Sequence, residues 1–216
     1  MKSILVIGMG KFGRHLAERM QEFGNDVMIA DANEEVVERL VPIFKDSHIG
    51  DCTDETVLRS LGINNFDICF VAIGENFQSS LVITALLKKL GARHVVAKAD
   101  HDIQAELLKT IGADEVVYPD LDIVEKIAVK YNSDNVFDFI ELTPEYAIYE
   151  IAVNPSWIGK TIADLGVRRK YLINIIAVKK DNILDAAPGA DYTFSAGDHI
   201  IVIGKASDVI KMASKD

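Results

Sequence analysis

The six residues Gly8-Met9-Gly10-Lys11-Phe12-Gly13 constrain this chain more than any other stretch. They follow an apolar run at 2–7 with the pattern of a buried parallel strand. They open a helical pattern over 11–23, with Phe12, Leu16, Ala17, Met20 and Phe23 at helical spacing. The spacing G-x-G-x-x-G is weak by itself. Here it lies between a strand and a helix, and Asp31 follows 18 residues after Gly13 at the end of a second expected strand. Each glycine then has a reason. Gly8 permits a tight turn, Gly10 leaves room for phosphates near the backbone, and Gly13 lets helix and strand pack closely. Free N–H groups at the helix start would face the phosphate.

Asp31 would accept hydrogen bonds from ribose hydroxyls, and its carboxylate opposes a 2′-phosphate, which disfavours NADP. The expected ligand is an adenine nucleotide, held by Gly8 to Gly13 (Met9, Lys11 and Phe12 included) together with Asp31 and Ala32. A loop that binds nothing, with Asp31 as a cap, is the competing interpretation. Other strand ends should line the same crevice. These are Gly50, Asp51, Cys52 and Thr53, then Ala72, Ile73, Gly74, Glu75 and Asn76, then Lys98. Asp51 and Cys52 could flank the adenine, and Gly74 would let the backbone close over the ligand. Turn and cap roles account for them nearly as well, with Thr53 as a helix cap.

The alternation continues, with strands expected at 26–30, 48–49, 67–73, 94–98 and 115–118. Helices are expected near 34–40, 54–60, 76–90 and 102–110. This indicates an α/β fold, a Rossmann-type doubly wound parallel sheet. The pattern changes after Pro119. A helix over 121–131 precedes the polar break Asn132-Ser133-Asp134-Asn135. Then come β-like runs at 136–142, 146–153, 172–179 and 199–203, with short helices at 161–165 and 206–213 and a turn at Lys180-Asp181-Asn182. The second half reads as a small α+β C-terminal domain, giving domains 1–133 and 134–216.

Charge and chemistry narrow the function. With 33 acidic against 23 basic residues the net charge is −10, which repels phosphate backbones, so nucleic acid is not an expected partner. Two cysteines, Cys52 and Cys69, suit reduced thiols in the cytoplasm better than a disulfide scaffold. No stretch reaches the ~18 apolar residues of a membrane helix, so action at a membrane would go through a partner. The five histidines are scattered, and neither a Walker-type loop nor an acid–base constellation occurs, so no catalytic residue is assigned and an enzyme is disfavoured.

The run Ile7 to Gly13, then Asp31, Gly50-Asp51-Cys52-Thr53, Val71-Ala72-Ile73-Gly74 and Ile111 to Pro119 resembles the RCK (TrkA/KtrA-type) regulatory proteins of bacterial potassium transport. Trp157 to Leu165, Ile173 to Val178 and Gly197 to Gly204 resemble the family's C-terminal module. The resemblance implies a homo-oligomer, with dimers forming a ring (octameric) at the inner face of the cell membrane. The ring would dock under a separate membrane-embedded potassium-translocating subunit. It implies ATP, ADP, NAD or NADH in the first domain. In some members it implies cyclic di-AMP between paired C-terminal modules, where Arg168, Asn174, Ile175 and Pro188 would match. The fourth fingerprint position, often arginine, is Lys11, which keeps the charge but loses the bidentate fork. A glutamate that helps bind a divalent cation in KtrA-like members corresponds to Asp120. Two other functions remain open: an NAD-dependent oxidoreductase, and a regulatory module of a cation–proton antiporter. The helix at 76–90 is expected to face its own core. The one at 121–131, with Ile123, Val124, Ile127, Ala128 and Tyr131, is expected to meet a second copy.

Overall fold

The computed structural model describes residues 1–74, 76–131, 135–181 and 183–213. Strand β1 (Ser3–Ile7) is buried on both sides, Ile4 and Val6 packing into one apolar cluster and Leu5 and Ile7 into another. A strand covered on both faces needs a helix layer on each, and the sequence supplies them by alternation. Helix α1 (Lys11–Glu22) is followed by β2 (Asp26–Asp31), α2 (Glu34–Leu40), β3 (Asp46–Ile49) and α3 (Glu55–Leu61). Then come β4 (Ile68–Val71), α4 (Phe77–Lys89), β5 (Val95–Lys98), α5 (Asp102–Ile111) and β6 (Glu115–Val117). The six strands are parallel in the order β3-β2-β1-β4-β5-β6. The order reverses between β1 and β4, which opens a crevice at the carboxyl ends of those strands.

Helix α6 (Pro119–Tyr131) carries the chain onward. It starts at Pro119, two residues before the sequence expectation, because proline suits the first turn of a helix, where its missing N–H costs nothing. Two compact units result, Met1–Leu121 and Asp122–Asp216. On α6, Leu121, Ile123, Val124, Ile127 and Tyr131 are exposed, while α4 buries Ile83 and Leu87 in its own core.

The second unit is built on β7 (Val136–Glu141), β8 (Tyr146–Ala152), β9 (Asn174–Lys180), β10 (Ile183–Asp185) and β11 (His199–Lys205). They form an antiparallel sheet in the order β10-β9-β11-β8-β7. Strict alternation sets its inner face: Ala147, Tyr149 and Ile151 of β8 and Ile200 and Val202 of β11 are buried. They pack with Trp157, Phe194 and with Val209 and Met212 of the helix α9 (Ala206–Ala213). Between β8 and β9 lie two short helices, α7 (Ile162–Leu165) and α8 (Val167–Tyr171). Thr161 caps α7 in a reciprocal box with Asp164.

In the second unit three features depart from the sequence expectation. Helix α8 and strand β10 were not expected, and the strand expected from 172 begins at Asn174. Leu172 ends α8 in the left-handed region (φ 59°), a conformation that does not belong to a strand. Strand β10 is a short edge element, all exposed, and so lacks the alternation that reveals a half-buried strand.

Candidate functional site

Strand β1 ends at Ile7, and the chain must turn at once to start α1 on the sheet face. Gly8 makes that turn at φ 95°, where a side chain would be strained and would press on Ile73 and the Ala72 backbone. Its N–H donates to the Ala30 carbonyl (2.8 Å), and the Ala72 N–H donates to the Ile7 carbonyl (2.8 Å). Both neighbours of β1 thus hold the loop. A Cβ on Gly13 would lie 1.9 Å from the Gly8 carbonyl oxygen, so the close helix–strand approach excludes any side chain there. Gly10 differs, because a Cβ there meets nothing within 4 Å and would project into open space.

These residues edge a crevice of about 770 Å3. The fingerprint loop from Gly8 to Phe12 forms one wall, with Asp31 and Ala32 from the end of β2. Gly50, Asp51, Cys52 and Thr53 come from the end of β3, and Ala72, Ile73, Gly74 and Asn76 from the end of β4. Lys98 closes β5, and Asp120 enters from the start of α6. Gly13 lies beneath the loop and Glu75 is outside the described residues.

The sequence reading missed Ile7, Asn33, Val36, Ser79, Ile83 and Pro119, which also line the crevice. Two of them stand alike on their helices. Asn33 caps α2 by accepting the Val36 N–H, and Asn76 caps α4 by accepting the Ser79 N–H. The residue three past each of these two caps lines the crevice, whereas Val57, three past the Asp54 cap of α3, does not. Thr53 is not the cap of α3. Asp54 takes that role with the Thr56 N–H, because Thr53 is already engaged by Asp51, whose Oδ1 accepts its N–H (2.9 Å) and its hydroxyl (2.7 Å).

Charge in the crevice is arranged in local pairs. Asp31 accepts the Met9 N–H at Oδ2 (2.6 Å) and the Asn33 N–H at Oδ1 (2.8 Å). Lys98 Nζ lies 2.8 Å from Asp100 Oδ1, with its side chain only 14% exposed. Burial, with Asp51 and Asp31 nearby, pushes the Cys52 thiol up to about 12. Cys52 is therefore a neutral, buried wall at physiological pH rather than a nucleophile. No histidine is on the wall among the described residues. Nor do the described residues contain three His, Cys, Asp or Glu grouped to hold a metal ion. Among the described residues, Asp31, Asp51 and Asp120 bring carboxylates to the wall.

In the second unit, Arg168 and Arg169 of α8 and Asn174 and Ile175 of β9 line a hollow of about 530 Å3 with Ile162 and Gly166. Pro188, expected beside them, is not on this wall. It follows β10 in a segment whose position the sequence did not reveal. No helix among the described residues is long and apolar enough to cross a membrane.

Comparison with known proteins places this geometry. The TrkA-N domain family matches residues 4–119 and the TrkA-C domain family residues 146–215. The chain is 39% identical to Ktr system potassium uptake protein C of Bacillus subtilis (strain 168), over 99% of its own length and 97% of that protein's. It is 34% identical to Ktr system potassium uptake protein A of the same organism, covering 96% and 94%. For the Vibrio alginolyticus protein of that name the identity is 30%, covering 94% and 92%. Among solved structures, the GsuK RCK domain shares the fold at a TM-score of 0.54 and 22% identity, over 98% of this chain and 45% of that longer one. The GsuK channel bound to NAD gives 0.55 and 22%, over 98% and 38%. With both domains matched in order and relatives matched over nearly their full length, the chain belongs to the TrkA-type (RCK) family of regulatory proteins of potassium transport.

Proposed function

We propose that the chain is a non-catalytic, nucleotide-responsive gating subunit. It acts from the cytoplasm on a separate membrane-embedded potassium-translocating subunit. The observation that carries this reading is the meeting of three devices in one crevice at the strand-order reversal: the glycine loop, Asp31 and Lys98. The loop and the start of α1 suit phosphate, Asp31 suits ribose hydroxyls, and Lys98 adds a cation. The GsuK channel, which shares the fold, has a structure bound to NAD, and that supports an adenine ligand for this chain. Asp120 fits a divalent cation only as one carboxylate completing a shell that phosphate oxygens mostly supply. Ligand exchange acts by binding two assembly shapes unequally, with coupling of ~1–3 kcal/mol.

Native mass spectrometry of the purified chain reads bound nucleotide and copy number together. The expected result is one adenine nucleotide per chain in a dimer or larger ring. A monomer that takes up neither ATP, ADP nor NAD defeats the reading.

The C-terminal hollow favours a second ligand. Arg168 and Arg169 offer cationic forks to phosphate, Asn174 a base-edge donor and acceptor, and Ile162 and Ile175 apolar contact. Cyclic di-AMP has that chemistry. Arg168→Ala is expected to abolish its binding in calorimetry while ATP binding is unchanged; wild-type heat from Arg168→Ala would remove the assignment.

A further inference from the structure

The Lys98 side chain is only 14% exposed yet lies on the crevice wall, and Asp100, which holds its Nζ at 2.8 Å, is not on that wall. A residue of the wall is therefore ion-paired to a carboxylate that is off the wall. The ammonium also lies 3.1 Å from where a Cβ on Gly74 would be, so it is wedged against the end of β4. The backbone at Asp100 is held: its N–H donates to Gln104 Oε1 (2.9 Å), and the preceding Ala99 N–H donates to the Val117 carbonyl (3.0 Å). The other carboxylates near the loop have different work. Asp31 holds the Met9 and Asn33 N–H groups, and Asp51 holds Thr53.

We propose that Asp100 is a specificity-determining residue that flattens the crevice's discrimination between nucleotides of different phosphate number. This rests on the nucleotide reading of the crevice. An ammonium has three N–H donors, so Lys98 can serve Asp100 and a phosphate at once. Each added phosphate charge then meets a cation already neutralised by Asp100 and is repelled by that carboxylate. A sensor that must exchange ligands gains from this, because no one phosphate form is held so tightly that it never leaves. Asp100 acts through Lys98 and not by touching ligand.

The test is calorimetry on the full chain with AMP, ADP and ATP, comparing wild type with Asp100→Asn, Lys98→Gln and the double variant. Asparagine keeps an oxygen acceptor for Lys98 and removes only the charge; Asp100→Ser does the same with a smaller side chain, should Asp100→Asn fold poorly. The expected result is an ATP-to-AMP affinity ratio raised about three- to tenfold by Asp100→Asn, with screening by solvent at this partly exposed pair setting the modest size. The gain should vanish when Lys98→Gln is added, as coupled residues require. An unchanged or lowered ratio overturns the proposal, as does a rise that survives Lys98→Gln. If wild type binds no adenine nucleotide, the nucleotide reading itself has failed; if it binds them and the ratio stays flat in Asp100→Asn, only the role of Asp100 has.

Discussion

The Oδ2 atom of Asp31 accepts the backbone N–H of Met9 at 2.6 Å, so the carboxylate suited to read a ribose also holds the glycine loop. A hydrogen bond to a charged group contributes about 1.5–3 kcal/mol. Asp31→Ala should thus weaken adenine-nucleotide binding about tenfold or more. The thermal shift at fixed ligand would shrink accordingly, following RT ln(1 + [L]/Kd). NADP should give wild type little shift. Equal shifts with ATP and NAD in Asp31→Ala and wild type would show that the carboxylate reads no ribose.

Gly10 and Gly13 separate binding from folding. Gly10→Ala adds a methyl to open space at an ordinary φ of −64°, so its urea midpoint should match wild type while nucleotide affinity drops. Gly13→Ala must push a methyl off the Gly8 carbonyl, and a cost of about 1–3 kcal/mol is expected from overpacking. If the two variants lose stability alike, the assignment of Gly10 to the ligand and Gly13 to packing is wrong.

Acid should loosen the first unit through Asp67. Its Oδ2 accepts the Ser3 N–H (2.9 Å) and its Oδ1 meets Arg93 (2.8 Å), tying the starts of β4 and β1. The Ser3 hydrogen bond, with Arg93 adding to it, holds the carboxyl below its ordinary value. A lowered folded value means stability present above the unfolded value and lost as pH falls through the folded one. Urea midpoints should therefore decline from about pH 5 downward. Asp67→Asn should make that decline shallower, and an identical slope in both proteins would refute the link.

Ile127 is 52% exposed on α6, beside exposed Ile123 and Val124. Ile127→Glu should leave the urea midpoint of a single chain unchanged but place a charge in any apolar contact between copies. Light scattering on a sizing column should then show smaller species that still bind nucleotide. Retention of the wild-type mass would remove α6 from the assembly interface.

What could be read from the sequence was what has a local cause. Gly8, Gly13 and Asp31 each answer a constraint set within a few residues of a strand end, and the crevice walls followed from where strands stop. Val36, Ser79 and Ile83 were missed because a helix residue's place on a wall depends on which way the helix leaves its cap. Helix α8 and β10 were missed for another reason. A five-residue basic helix ending in a left-handed leucine, and an edge strand with no buried side, leave no periodic trace. Pro188 was lost with them.

The order β10-β9-β11-β8-β7 has a consequence for how the second unit comes together. Strand β8 pairs with β7 and β9 pairs with β10; among the described residues β11 is the strand that pairs with both hairpins, and the Lys179–Glu150 ion pair (2.9 Å) crosses from β9 to β8. An isolated hairpin is marginal in water, so neither half is expected to persist alone. The central strand is also the latest of the five in sequence. A ribosome-bound chain therefore completes its nucleotide-binding half while the other remains two loose ribbons, and closes the second sheet only when residues 199–205 emerge.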